Sequence, residues 1–345
     1  MVPRRPVTTV SAVIPHLDRA DLLERAMRSL AAQRLPQGVV LEVIVVANGS
    51  PGESLRVARA LGARTIPLGS NRGVSRAFNR GLEVARGKWV ALLNDDIELA
   101  PGWLSALLGG ARSAGAWFAT GKVYDARCRG VLDGAGDAVC RGGASWRLGH
   151  GKPDGPDFAV PRPTYFPSAT ASLFRREFFD RVGRFDESFF AYLEDVDLGM
   201  RAASLGLAGT YVPEAEAWHE GSATSGRWSD RSVTWITRHQ LLLLAKHYSE
   251  AMLLRYGRPV AVAQLLWAAL AVSRGRSRAW LEGIAQGLAD CGSRWQAASR
   301  RGERGLIAAL SAGESEIAAM QRSAGWDTYW KWYFRLARPA RLRRP

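Results

Sequence analysis

Cysteine is scarce and scattered: Cys128, Cys140 and Cys291 are an odd number in no metal-ligand spacing, so the chain offers neither a disulfide framework nor a zinc site. That usage fits a reducing, cytoplasmic setting. Long apolar runs are also missing. The most lipid-like stretch, Pro259 to Ser273, carries Gln264 and is too short to span a bilayer. The apolar residues after Arg4 and Arg5 stop at Pro15, short of a secretory signal. The protein is expected not to cross the membrane. Missing motifs exclude several chemistries. The first apolar strand runs into Pro15-His16-Leu17-Asp18 instead of a G-x-G-x-x-G turn, against a dinucleotide-binding oxidoreductase. There is no G-x-x-x-x-G-K-[ST] loop, no G-x-S-x-G elbow and no H-E-x-x-H pair, so a P-loop enzyme, a serine hydrolase of that type and a zincin all fall away.

What is present suits an α/β enzyme with an appendage. The 345 residues, 47% hydrophobic and 23% charged, suffice for one catalytic domain and an extension. Thr9–Ile14 reads as a strand, and Leu22, Leu23, Ala26, Leu30 and Gln33 recur after Asp18 at helix spacing. Leu41–Val46 is a nearly continuous apolar run, as a strand buried on both faces would be. The alternation repeats through a helix at 54–61, a strand at 63–67, a helix ending at Gly87 and the strand Trp89–Leu93. Such alternation builds a parallel sheet with helices on both faces and a ligand crevice at the carboxyl ends of its strands. The Gly-rich stretch from Gly130 to Gly155 reads as loops and short strands over that crevice. A second compact block spans Pro167–Gly221, and past Trp235 the pattern is wholly helical. The boundary is placed near Asp230, giving a catalytic part, 1–230, and a helical, basic-aromatic extension, 231–345, whose end from Arg335 is expected to be disordered.

Net charge is +15, and about ten of those units lie after Glu250. Nucleic acid and an anionic membrane both suit a basic segment, as does a plain solvated tail. The interleaved Trp, Tyr and Leu favour the membrane interface, with Trp326, Tyr329, Trp330, Trp332, Tyr333 and Phe334 at headgroup level, and no nucleic-acid partner is expected.

Two acidic clusters carry the chemistry. Trp89-Val-Ala-Leu-Leu ends abruptly in Asn94-Asp95-Asp96, and carboxylates crowded at a strand end repel unless a cation sits between them. Mg2+ or Mn2+, which take oxygen ligands and bridge diphosphates, would satisfy the arrangement, although a solvated turn would use the same residues. Farther on, Asp186, Glu187, Glu194, Asp195 and Asp197 sit among Phe185, Phe189, Phe190 and Tyr192. A carboxylate held among aromatics is partly desolvated, which raises its pKa and makes it a usable base near neutral pH. The acidic first turn of a helix is the bland alternative, and both can hold together. A lone histidine such as His219, or His16 after the first strand, fits a packed residue as well as a ligand.

In this order the motifs resemble those of family-two glycosyltransferases of the GT-A fold, and within them the bacterial rhamnosyltransferase-like subgroup. The motifs are Val13-Ile14-Pro15, Val45-Val46-Ala47-Asn48-Gly49-Ser50, Asn71-Arg72-Gly73 with Asn79-Arg80-Gly81, Leu93-Asn94-Asp95-Asp96, and Gly183 to Glu187 through Glu194 to Leu198. The resemblance implies that Asp96, with Asn94 and His219, holds the metal and that Asp195, beside Glu194, is the catalytic base. It places Pro15, Leu17, Ala47, Asn48, Asn71, Gly73, Asn79 and Asp95 against the donor. Leu17 and Ala47 stand where the family usually has Tyr and Asp, and Phe78 where many members carry Arg. The expected activity is inverting transfer of a sugar from a nucleotide diphosphate, with dTDP-rhamnose suggested, to a lipid-linked or polysaccharide acceptor in cell-envelope glycan synthesis. The expected location is cytoplasmic, peripheral at the inner face of the plasma membrane. A catalytically lapsed nucleotide-sugar-binding protein and a nucleotidyltransferase are the rival readings.

Overall fold

A computed structural model describes residues 7–49, 52–221, 228–295 and 302–337. The strands are β1 (Thr8–His16), β2 (Val39–Ala47), β3 (Arg64–Pro67), β4 (Trp89–Leu93), β5 (Ile97–Leu99), β6 (Phe118–Asp125), β7 (Leu132–Gly134), β8 (Asp137–Val139), β9 (Ser145–Arg147), β10 (Arg162–Thr164), β11 (Ala171–Arg175) and β12 (Gly209–His219). The helices are α1 (Ala20–Ala31), α2 (Glu53–Ala60), α3 (Val74–Val84), α4 (Trp103–Ser113), α5 (Arg176–Val182), α6 (Glu194–Ser204), α7 (Asp230–His247), α8 (Glu250–Ser273), α9 (Ser277–Trp295), α10 (Glu303–Ser323) and α11 (Thr328–Leu336).

The main sheet runs β10-β12-β6-β11-β4-β1-β2-β3. Its β4-β1-β2-β3 half is parallel; β4, most of β1 and the end of β2 are buried, whereas β3 is a part-exposed edge. The antiparallel β11 joins this half to the parallel pair β6 and β12. One face packs under α1 and α4 through Leu23, Met27, Leu104 and Leu107, the other under α3, α5 and α6 through Phe78, Phe178 and Leu198. The contact of α3 with β1 is close because Gly81 has no side chain: a Cβ there would lie 2.1 Å from Val13.

Some boundaries differ from the sequence reading. The third helix stops at Val84, three residues before Gly87, and β12 extends through a bulge between Val212 and Glu216 so that His219 is its last residue. The helices after Asp230 share a core with the preceding part: Leu242, Leu243, Tyr248, Met252, Leu306 and Leu310 pack with Phe166, Phe189, Val196 and Met200.

The aromatic C-terminal segment requires a correction. Trp330 and Tyr333 are buried in a cluster with Cys140, Ala263 and Ile317, and the Tyr329 hydroxyl donates to the Ala263 carbonyl at 3.0 Å. Trp330 and Tyr333 are used for packing and are not free to lie at a headgroup level; Tyr329 and Phe334 are half-buried, and Trp326 and Trp332 are exposed. The expected disorder begins at Arg335, but α11 continues through Leu336, and 338–345 lie outside the described residues. Among the described residues no helix is long and apolar enough to cross a membrane.

Candidate active site

Three parallel strands end at the crevice. Past β4, Asp95 turns back: its Oδ2 accepts from His16 Nδ1 at 2.6 Å and from the Leu17 amide at 3.3 Å, fixing the turn after β1. Past β2, Asn48 Oδ1 accepts from the Arg72 amide at 2.7 Å and its Nδ2 donates to Asn71 Oδ1 at 3.1 Å, which also accepts from the Gly73 amide. Asn48 and Asn71 therefore shape the entry to α3. Gly73 has φ +87°, and a Cβ there would lie 2.5 Å from the Phe190 carbonyl oxygen. That oxygen accepts from the Val74 amide at 2.8 Å, which sets the start of α3 against the loop preceding α6.

Pro15 and Ala47 lie at or near the buried ends of their strands, neither presenting a polar group to a base or ribose, and Leu17 offers its backbone to Asp95. Asn79 is not at the crevice surface. Its amide donates to the Phe185 carbonyl (3.0 Å) and Glu187 Oε1 (3.1 Å), and its oxygen accepts from the Phe185 amide, so it brackets α3 to the 185–187 loop with both amide hydrogens used there. Phe78 fills the neighbouring space, stacked on Phe185 with centroids 5.2 Å apart.

Asp96 and His219 lie in contact. Asp96 Oδ1 lies 3.0 Å from His219 Nε2, and His219 Nδ1 donates to Asp133 Oδ2 at 2.8 Å. Burial would lower the histidine, but the two carboxylates prevail and push it up to about 9. Asp96 is in turn held below its ordinary value, His219 outweighing the effect of burial. The Asn94 amide nitrogen lies 3.3 Å from His219 Nε2, so Asn94 turns its nitrogen and not its oxygen to the pair, and Asp96 and His219 are left as the candidate ligands. Among the described residues no three His, Cys, Asp or Glu side chains form a cage. Two protein ligands, one with its far nitrogen anchored on a carboxylate, suit a cation completed by diphosphate oxygens and water.

The dipeptide Ala169–Thr170, just before β11, joins this pair to the second acidic cluster. The Thr170 carbonyl accepts from the Asn94 amide at 2.9 Å, while the Ala169 amide donates to Asp195 Oδ2 at 3.2 Å. Asp195 is half-buried in the first turn of α6, and Glu194 before it is buried. Tyr192 and Leu193, with φ of 69° and 65°, make the left-handed turn that presents them. Burial pushes Glu194 up to about 8 with help from Asp195, and raises Asp195 against its bond to Ala169 and the charge of Arg147. Asp197 points the other way, into Arg201, Lys246 and His247, which overcome its burial and hold it well below the usual range.

Three residues of the Gly-rich stretch escaped the sequence reading. Asp133 anchors His219 and pairs with Arg147, whose Nη2 donates to Thr170 Oγ1 at 3.0 Å and whose Nε lies 3.9 Å from Asp137 Oδ1. Burial lifts Asp137 to about 7 despite Arg147. One guanidinium thus faces Asp133, Asp137 and the charge of Asp195. The signal was an Asp-Gly and an Arg among short β segments, which no local spacing distinguishes from turn chemistry.

A parallel half-sheet joined through an antiparallel strand to a second parallel pair, with helices on both faces, is the GT-A fold. Solved structures share it: GalNAc-T7 with UDP, GalNAc and Mn2+ (TM-score 0.58, 15% identity, 84% of this chain and 58% of that one) and S. aureus TarS (TM-score 0.54, 16% identity, 91% and 55%). The chain thus spans little more than half the length of these two. The chain belongs to glycosyl transferase family 2, whose model matches residues 11–183. It is 33% identical over 235 residues to an N-acetylglucosaminyl-diphospho-decaprenol L-rhamnosyltransferase of Mycobacterium tuberculosis, covering 62% of this chain and 74% of that protein. An O-antigen biosynthesis protein of Myxococcus xanthus is 30% identical over 237 residues, 64% of this chain and 18% of its own.

Proposed function

We propose that the protein is an inverting, divalent-metal-dependent glycosyltransferase that moves rhamnose, from dTDP-rhamnose, to a hydroxyl of a lipid-linked acceptor in cell-envelope glycan synthesis. The observation carrying this reading is the two-residue link through Ala169 and Thr170, whose backbone bonds Asp195 on one side and Asn94, two residues before Asp96, on the other. A base and a leaving-group site side by side suit a single in-line displacement. The sugar and the acceptor follow the named activity of the M. tuberculosis relative, and the nucleotide follows the family resemblance.

Asp96 and His219 would hold Mg2+ or Mn2+, whose charge would offset that developing on the departing diphosphate. Asp133 keeps the His219 ring oriented from behind. Asp195 accepts the acceptor proton as its oxygen attacks the anomeric carbon, while Glu194, protonated at neutral pH, leaves a single negative charge between the two neighbours. Arg147 tempers the base by keeping it ionisable among buried carboxyls. Asn48, Asn71 and Gly73 shape the donor side, and Phe190, Tyr192 and Trp235, in ring contact, border the acceptor side. Catalysis is assigned to residues 1–230 and acceptor-surface docking to 231–345.

The test is incubation with a panel of nucleotide sugars, Mn2+ and a polyprenyl-diphosphate-linked N-acetylglucosamine, with the anomeric configuration of the product read by NMR. Transfer from dTDP-rhamnose with inversion is expected. Retention of configuration would defeat the single-displacement mechanism, and release of pyrophosphate would make the enzyme a nucleotidyltransferase.

A further inference from the structure

Helix α8 has an outer face that its packing leaves open. Met252, Tyr256, Pro259, Ala263 and Ala271 are buried, whereas Leu254, Ala261, Leu265, Ala269 and Val272 recur on the opposite side and are exposed, Leu254 by 82%, Leu265 by 70% and Val272 by 55%. This is an apolar stripe about five turns long. Isolated exposed leucines need no explanation, but a stripe of five apolar residues on one helix face, broken only by Arg258, does.

The charge around the stripe is of one sign. From Ala251 to Leu281 the chain has five arginines, at 255, 258, 274, 276 and 278, and no acidic residue. Arg255, Arg258, Arg274 and Arg278 are exposed. Arg258 stands within the stripe and donates to the Leu336 carbonyl at 2.8 Å, so the exposed Leu336 of α11 lies beside it, with Trp332 one turn earlier on that helix. A protein partner would have to be both apolar and strongly acidic. An anionic bilayer meets both demands, since leucines enter the acyl boundary while arginines stay at the phosphates.

We infer that the outer face of α8, flanked by these arginines and extended by Trp332 and Leu336, is the surface by which the protein lies on an anionic membrane. This rests on the reading of the acceptor as lipid-linked and moves the contact away from Trp330 and Tyr333, which the fold buries. The helix lies in the interface plane without crossing it.

Flotation of the full chain with vesicles of mixed phosphatidylglycerol and phosphatidylcholine, and of phosphatidylcholine alone, tests the assignment. The wild type should float with the anionic vesicles and weakly with the neutral ones. Leu254→Ser/Leu265→Ser should reduce anionic partitioning by about tenfold or more, and Arg255→Glu/Arg278→Glu should abolish the preference for anionic lipid. Leu205→Ser, at an exposed leucine far from the stripe in sequence, should float as the wild type does. Equal flotation of the double-leucine variant, or none by the wild type, overturns the proposal. So does a concentration-dependent dimer that the leucine variant loses while the wild type ignores vesicles, which would make the stripe an interface between two copies. Normal flotation with no transfer to a lipid-linked acceptor defeats the acceptor reading and leaves the docking face standing.

Discussion

Asp195 and Glu194 share a turn and a desolvated setting, yet the two carboxyls are not equivalent. Asp195 accepts a backbone hydrogen bond from Ala169 and feels Arg147 as an opposing charge, whereas Glu194 keeps one buried oxygen without a partner and is pushed up to about 8. A group already protonated loses little when replaced by its amide. Asp195→Asn should therefore lower transfer by roughly 10²–10⁴-fold with donor affinity within a few-fold, while Glu194→Gln costs far less. Steady-state rates and calorimetric nucleotide titration measure both, and a larger loss in Glu194→Gln would reassign the base. Arg147 offers a separate test because three carboxyls depend on it. Arg147→Met leaves Asp133 and Asp137 buried without their counter-charge, at an expected cost of about 3–5 kcal/mol in urea unfolding, together with weaker metal-stimulated donor binding as Asp133, the anchor of His219, loses its guanidinium partner.

At the scale of elements, function depends on how α3, the 185–193 loop and α7 hold one another. A methyl group at Gly73 would meet the Phe190 carbonyl in a backbone conformation that alanine disfavours, so Gly73→Ala should destabilise the fold by about 2 kcal/mol and weaken donor binding. From α7, His239 Nδ1 donates to the Tyr192 carbonyl at 2.8 Å and Nε2 accepts from Arg238 at 2.9 Å, a pattern that requires the neutral ring. Burial, with Arg238 against it, lowers this histidine to about 4. Between that value and about 6.5 for the unfolded chain, only the unfolded state binds the proton, so stability falls as pH drops through the window, by on the order of 3 kcal/mol when complete. Asp137, Glu194 and His219, all raised, contribute with the opposite slope and cancel when wild type is compared with His239→Gln. Urea titrations at about pH 7 and pH 4.5 should show a steeper acid loss in the wild type than in the variant. The parallel half of the sheet was legible in the sequence because β1, β2 and β4 are mostly apolar and run into punctuating polar residues. The second half was not, because β7, β8 and β9 are three residues each and are defined by long-range pairing. For the same reason Asp96 and His219 were visible at the ends of recognisable strands, while Asp133, Asp137 and Arg147 became part of the site only through tertiary contact.

On the scale of the whole molecule, the question is whether the basic helical part is a tether or part of the body. Composition suggested a tether, since charge and aromatic residues concentrate there, but the aromatics divide by packing in a way composition does not reveal. The Tyr333 hydroxyl donates to Glu314 Oε2 at 2.9 Å and accepts from the Gly142 amide at 3.1 Å, and Glu314 also receives the Arg141 amide and guanidinium. A loop of the Gly-rich stretch is thereby joined to α10 and α11. Trp330 packs beside it against Tyr333 and Trp146, and Trp146 lies in β9, the strand that ends in Arg147. The C-terminal helix therefore supports the hairpin that delivers Arg147 to the acidic site. Trp330→Ala should cost about 3–5 kcal/mol and lower the midpoint of one cooperative unfolding transition. It should also reduce transfer at temperatures where the protein remains folded, because the hairpin loses its backing. A tether would behave differently, with an early separate transition in the variant and full activity after it. Calorimetry paired with rate measurements across that range distinguishes the two, and an unchanged transfer rate beyond a first small transition would show that the helices fold and act apart from the catalytic body.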